Sequence, residues 1–265
     1  MKKILITSFL IATLLIFNAG AGTDGEMSIS KKNSAKEIKE CFEGINRVIF
    51  KVNQVLDRSL FKPIAKGYRK LPNPIKSGTG NALNNLSHLV TVPNNILQGE
   101  FKDAGTNTIR FIVNTTAGVL GVFDVAATIG FENLDKEDYG QTLATWGVGP
   151  GCYIVIPVLG PSTLRDTISS FGSLAVNLDP WYNVSVARDT HHFSDFDYYA
   201  SRGTKALDFR AKNIDSFENL EKNSMDFYAS VKSLYIQDRK QKILNSKLST
   251  IETQDDSDWE EIESK

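Results

Sequence analysis

Residues Tyr139–Asp166 read YGQTLATWGVGPGCYIVIPVLGPSTLRD, and this stretch decides more about the chain than any other. Four glycines (Gly140, Gly147, Gly149 and Gly151) and Pro150 lead to Cys152, and an uncharged run, CYIVIPVLGP, follows. The run ends in Thr163-Leu164-Arg165-Asp166, a helix-start pattern with a carboxylate three residues after a threonine. Backbone so rich in glycine exposes its polar groups, so in an apolar setting it has to line a cavity or pack on protein. Gly147, Gly149 and Gly151 are therefore candidates for the wall of a polar passage. Arg165, with the free amides of the next helix, is the candidate seat for an anionic group, and Asp166 is the capping carboxylate. The competing reading is a structural ion pair between Arg165 and Asp166.

At 265 residues and 41% hydrophobic, the chain can bury one good core. Thirty basic against thirty-one acidic residues give a net charge of -1, without the basic excess of a nucleic-acid binder. A mean hydropathy of -0.21 excludes a polytopic membrane protein but not one lying in an interface on amphipathic helices.

The N-terminus reads as an export signal over residues 1–21. Lys2 and Lys3 are its charged region, Ile4 to Phe17 its apolar stretch, and Ala19-Gly20-Ala21 its cleavage pattern. Residues 22–40 are polar, lysine-rich and aperiodic, the pattern of a tether. Cys41 and Cys152 are the two cysteines; they could pair in an oxidising compartment or remain two small buried thiols.

Helical spacing marks Phe42 to Phe61, with Ile45, Val48, Ile49, Val52, Val55 and Leu56 on one face. Pro63 follows, and Leu71-Pro72-Asn73-Pro74 predicts an extended or turn conformation. A second amphipathic segment carries Leu83, Leu86, Leu89 and Val90, with Pro93 expected to end or kink it. Ile109 to Phe131 is strongly apolar, with Arg110 and Asp124 as its charges. A helix pair broken at Gly118 or Gly121 suits its polar interruptions, while the segment taken alone reads most simply as a buried core helix. Leu164, Ile168, Phe171, Leu174 and Leu178 continue a helical period that Asp179-Pro180 closes. Residues 180–195 are aromatic and turn-like. Helical patterns then run from Tyr199 to Leu220 and from Ser224 to Leu244, the latter with Phe227, Val231, Leu234 and Tyr235 on one face. The domain is expected over 41–245, and the acidic residues 246–265 form a disordered tail. With strand alternation scarce, the fold class is mainly α.

Motifs for chemistry are missing. Three histidines, no H-E-x-x-H and no paired C-x-x-C give no metal centre, and no G-x-S-x-G elbow offers a nucleophile. The expectation is no enzyme, no metal and no cofactor.

The opening stretch is similar to the signature of the MlaA (VacJ) family, "D-[FY]-G-Q-T-L-x-x-W-G-V-G-x-G-x-Y-x-x-x-P-x-x-G-P-S-x-x-R-D". The resemblance runs from about Phe42 to Ile243. It includes Phe42-Glu43-Gly44-Ile45-Asn46-Arg47, Val55-Leu56-Asp57, Val92-Pro93-Asn94, Gly121-Val122-Phe123-Asp124-Val125-Ala126 and, more loosely, Arg210, Asp226-Phe227-Tyr228 and Tyr235-Ile236-Gln237 with Arg239. It implies a ring of amphipathic helices in the inner leaflet of the outer membrane, with a Gly-rich irregular segment at an amphipathic channel. It also implies association with a trimeric porin, and phospholipid taken from the outer leaflet and handed to a soluble periplasmic carrier. Ile45, Val48, Val52 and Val55 are then candidate membrane-facing residues. Many members carry a lipidated cysteine after the signal; here that place reads Asn18-Ala19-Gly20-Ala21-Gly22, and Cys41 lies well beyond it. Attachment would then rest on the helices and on partners. The rival readings are a porin scaffold that carries no lipid and, with less support, a lipid hydrolase.

Overall fold

Helical periodicity becomes helix along most of residues 38–187 and 193–244, the segments that a computed structural model describes. The expected signal, residues 22–37 of the tether, the His191-His192 pair and the acidic tail lie outside the described residues. Helix α1 (Glu43–Leu56) passes through a π-helical turn (Asp57–Phe61) into α2 (Lys62–Arg69), with Pro63 in the first turn of α2. Pro72 is extended, and α3 (Asn73–Gln98) follows it. Pro93 does not end α3, which runs on to a left-handed Gly99.

After α4 (Phe101–Thr116) the chain turns through Gly118–Gly121 to a single turn, α5 (Val125–Thr128). The apolar 109–131 segment is thus broken, and it is not a buried core helix: Ile109, Ile112, Val119, Leu120 and Phe123 are exposed, while Arg110 and Asn114 are buried. Then come α6 (Tyr139–Thr145) and an antiparallel hairpin, β1 (Tyr153–Ile156) and β2 (Gly160–Thr163), in register Tyr153 to Thr163. The hairpin feeds α7 (Leu164–Ala175), where Thr163 accepts from the Asp166 amide as the N-cap. Residues 180–187 are a short helix, α8 (Pro180–Tyr182), and a second π turn (Asn183–Ala187) rather than plain turns. The Tyr199–Leu220 pattern is two helices, α9 (Asp195–Lys212) and α10 (Ile214–Asn223), and α11 covers 227–244. The packed stripe of α11 is Tyr228, Lys232, Tyr235 and Arg239, with Leu234 exposed, so it is rotated from the face that the apolar residues predict.

The helices are amphipathic with their polarity reversed. On α1, Asn46 is buried and Ile45, Val48, Val52 and Val55 are exposed; on α7, Arg165, Asp166, Ser169 and Ser173 are buried and Leu164, Ile168 and Phe171 are exposed. On α3 the buried positions include Asn85, His88, Thr91, Asn94, Asn95 and Gln98, and α4 adds Asn107, Arg110 and Asn114. Buried polar groups and exposed large apolar groups are the informative departures from a water-soluble fold, and here they occur together. No helix among the described residues is long and apolar enough to cross a membrane.

Two small apolar clusters remain, Ala65–Ala211–Ile214 and Tyr153–Val155–Tyr228. The second depends on polar clamps. The Asn46 carboxamide donates to the Tyr153 carbonyl (3.2 Å) and accepts from the Val155 amide (3.0 Å). Two helical turns on, Asn53 does the same for the Ile156 carbonyl (2.9 Å) and the Val158 amide (2.7 Å). The two asparagines thus stand where a neighbouring strand would, and they satisfy the free edge of β1. Ile38 to Glu40 also dock there, so the tether ends earlier than expected: the Tyr153 amide donates to the Lys39 carbonyl (2.8 Å), and Glu40 accepts from Asn46, Tyr228 and Lys232. Cys41 and Cys152 are paired, across 111 residues.

Asn46→Leu keeps the volume of the side chain but strands a buried carbonyl and a buried amide. Its unfolding free energy in detergent denaturation is expected to fall by about 2–4 kcal/mol. An equal change from Arg47→Gln, at a half-buried neighbour that pairs with Glu43 and Asp226 and not with β1, would contradict this role for the clamp.

Candidate functional site

The segment from Lys136 to Asp166 delivers its residues to three different places. The glycine-rich loop lies at the surface. Gly147 (φ 90°) closes α6 as a Schellman motif, with its amide on the Ala144 carbonyl (3.0 Å) and that of Val148 on Leu143 (2.9 Å). Gly149 and Gly151 are exposed with it, and none of the three glycines lines either of the two main cavities.

Arg165 is buried in a four-member ionic node. Its Nε lies 2.9 Å from the Asp166 carboxylate, and its guanidinium reaches the Val148 carbonyl (3.3 Å). Arg239, brought by α11, forks onto Asp166 (2.9 and 3.0 Å) and onto Asp138 (2.6 Å to each oxygen), while the Tyr235 hydroxyl donates to Asp166 (2.8 Å). Asp138 is also the N-cap of α6, accepting from the Gln141 amide. Gly140 is obligatory at this crossing, because a Cβ there would lie 2.4 Å from Asp166 and 2.5 Å from Arg239. Burial pushes both carboxyls up, but Arg239, with Arg165 beside Asp166, outweighs it and holds both below the usual carboxylate range.

Asp138 also borders a cavity of about 370 Å³. Its apolar wall is Leu83, Leu86 and Val90 of α3 with Trp181, and its polar wall carries Lys136, Arg202, Lys205 and Lys242 together with Gln141 and the acidic Glu137 and Asp138. Arg202 is paired with Asp179 (2.6 Å) and Lys242 with Asp238 (2.8 Å). Lys136 instead meets the buried His88 ring at 3.2 and 3.4 Å, and Lys205 donates to the Ser87 hydroxyl (2.6 Å). Burial, then Lys136 and Arg110, hold His88 down to about 3, so its ring is neutral at neutral pH. Burial, then Arg110 and Lys205, hold Lys136 down to about 8. Glu137 points away to Gln98 (2.9 Å), and burial pushes it up to about 7. The combination of an aliphatic wall, an aromatic edge and convergent cations suits an amphipathic anion.

A second cavity, about 420 Å³, opens between α2, α3 and α9. Its cations are largely neutralised, Lys212 by Asp208 (2.6 Å) and Arg69 by Asp215 (3.0 Å). Asn84 borders both cavities.

Of the candidates from the sequence, Arg165 and Asp166 come together, and the glycine loop is tied to Arg165 through the Val148 and Pro150 carbonyls but lines neither cavity. His88, Lys136, Lys205 and Arg239 were not singled out for a site. The polar stripe of α3 is the signal that could have found His88, and the charged run Lys136-Glu137-Asp138 ahead of the signature could have flagged Lys136.

The node has a measurable pH signature. With both folded carboxyl values depressed, its stabilisation is present above the unfolded value of ~3.9 and lost as pH falls through the folded values. Arg239→Met leaves the half-exposed Asp138 without its cation and the buried Asp166 with Arg165 alone, and is expected to cost about 3 kcal/mol at pH 7. Acid titration of unfolding midpoints is expected to show that this deficit shrinks below ~pH 4, as the carboxyls protonate in wild type and variant alike. A pH-independent deficit would remove the ionic account of the node.

Residues 38–242 match the family model described as MlaA lipoprotein. An uncharacterised protein of Rickettsia bellii is 36% identical over 213 residues, covering 79% of each chain. The intermembrane phospholipid transport system lipoprotein MlaA of Haemophilus influenzae is 31% identical over 225 residues, covering 83% of this chain and 86% of that protein. The protein of that name from Escherichia coli is 30% identical over 246 residues, 89% of this chain and 87% of the relative. A chain solved in work on the structural basis for maintenance of bacterial outer membrane lipid asymmetry superposes with a TM-score of 0.63 at 28% identity, covering 76% of this chain and 97% of that one. The chain belongs to the MlaA lipoprotein family.

Proposed function

We propose that this protein moves phospholipid between membranes without changing it chemically. In this reading it sits in the inner leaflet of the outer membrane as a ring of helices. It takes phospholipid that has strayed into the outer leaflet and passes it inward, beside a trimeric porin, to a soluble periplasmic carrier. The observation that carries the lipid reading is the reversed polarity: an apolar exterior suited to acyl chains surrounds a polar interior with an amphipathic cavity. The names of the Haemophilus influenzae and Escherichia coli relatives support the substrate, and the family resemblance supplies the porin and the carrier. The exposed apolar faces, including Ile45, Val48, Val52 and Val55, support residence in one leaflet. The glycine loop at Gly147, Gly149 and Gly151 then lies at the rim of the lipid path rather than along its wall, and Arg165 supports that path through Asp166.

Reconstitution tests the transport. Vesicles holding the protein and a porin are expected to release labelled phospholipid to the carrier, with no free fatty acid formed. Absence of transfer, or release of fatty acid, would overturn the reading. The membrane face is tested separately by Val52→Asp. Since Val52 is exposed, the variant is expected to keep its circular-dichroism melt while its vesicle partition coefficient drops roughly 30-fold, the equivalent of ~2 kcal/mol. An unchanged partition coefficient would remove this face from the lipid.

A further inference from the structure

The cavity holds two cations that the fold itself does not use. Among the described residues Arg202, Lys242, Arg165 and Arg239 are each bound to a carboxylate, whereas Lys136 and Lys205 form no ion pair. Their partners are a neutral imidazole, that of the buried His88, and the hydroxyl of Ser87, which lines the cavity. A fold selected only for stability gains little by keeping two lysines close with no carboxylate in contact with either, Asp124 and Asp135 acting on Lys136 only at longer range. Gln141, 1% exposed, lines the same cavity with its Oε1 free of any hydrogen-bond partner. Two unneutralised ammonium groups and one orphaned acceptor beside an aliphatic wall describe a seat for a group that is anionic, carries a donor and is joined to apolar chain.

We propose that Lys136 and Lys205 together seat the phosphate diester of a lipid head group in this cavity, with Gln141 accepting a hydrogen bond from the head-group alcohol or amine and Leu83, Leu86 and Val90 meeting the start of the acyl chains. The proposal deepens the transport reading and rests on it. Lys136 is already held below its ordinary range by burial and then by Arg110 and Lys205, and an arriving phosphate would relieve the repulsion among these cations. Lys205 keeps much of its surface open because it lines a cavity rather than a packed core, which leaves its ammonium free to meet a ligand. A cavity of about 370 Å³ accommodates a head group and glycerol, leaving the acyl chains to extend beyond it.

The test uses the full chain in neutral detergent and three probes: fluorescent phosphatidylglycerol, fluorescent diacylglycerol of the same acyl length, and inorganic phosphate as competitor. The Lys136→Gln and Lys205→Gln double variant is expected to lose about tenfold or more in affinity for phosphatidylglycerol, from two lost charge-assisted contacts, and to bind diacylglycerol as wild type does. Lys136→Arg with Lys205→Arg is expected to restore most of the loss, a rescue that a mere packing role would not give. Unchanged phosphatidylglycerol affinity in a double variant with a wild-type melting curve would overturn the proposal. So would inorganic phosphate that binds the wild type through these lysines, as judged by loss of its binding in the double variant, without displacing the lipid; the seat would then be for free phosphate. If the wild type takes up neither lipid, the transport reading itself fails; if it takes up both equally and the variant matches it, that reading stands and only the phosphate seat falls.

Discussion

Satisfying polar groups in the interior is the constraint from which the rest of this fold follows. Asn, Gln, Thr and Arg side chains face inward from α1, α3, α4 and α7, and large aliphatic and aromatic side chains face outward from the same helices. In water this arrangement gives up most of the apolar burial that stabilises a domain of this size. Surrounded by acyl chains, the apolar exterior costs nothing, and association of the helices depends on packing and on internal hydrogen bonds. The side-chain networks are therefore the substance of the core. Asn95 links Glu100 and Asn107, Gln98 links Glu137 and Thr142, and Arg110 with Asn114 holds Asp124.

Such networks position elements that apolar packing alone would leave free to slide. The Asn46 and Asn53 clamps fix the hairpin against α1, and the node of Asp138, Asp166, Arg165 and Arg239 fixes α6, α7 and α11 to one another. Burying three charges beside a half-exposed fourth is expensive unless the lone pairs are met, and here each carboxylate oxygen of the node has a donor. The Cys41–Cys152 bridge adds a covalent tie at the point where the first described residues reach β1; closing a loop of 111 residues contributes about 4–5 kcal/mol in the chain-entropy account. Asp138 belongs both to the node and to the cavity wall, so the contacts that pin α6 also hold Lys136 and Gln141 at the cavity.

The helices were legible because their apolar residues recur with helical spacing; the direction in which they face was not. An apolar stripe looks the same whether it packs on a core or on lipid, and that is why Ile109 to Phe131 read most simply as a core helix. The Thr163 cap and the Arg165–Asp166 contact were readable, since both are local. Arg239 was not placed, because its partners lie 73 and 101 residues away and nothing in a single sequence joins them. Lys136 and Lys205 lie far apart in the chain, and only the fold of the cavity brings them together. The glycines carried the family signature, yet at Gly147 and Gly140 their physical work is to end a helix and to admit the node. Asn213 split a pattern that looked continuous, because the periods of α9 and α10 happen to run in phase across it.

Nitroxide power saturation in reconstituted bilayers addresses the reversed polarity most directly. Spin labels placed one at a time at Val48, Ile112 and Ile168, with the native disulfide left oxidised, sample the exposed apolar faces of α1, α4 and α7. The account predicts that dissolved oxygen relaxes all three labels more strongly than a water-soluble nickel chelate does, as for side chains among acyl chains. Stronger relaxation by the nickel chelate at all three positions, in protein that keeps its helical content, would place these faces in water and contradict the claim.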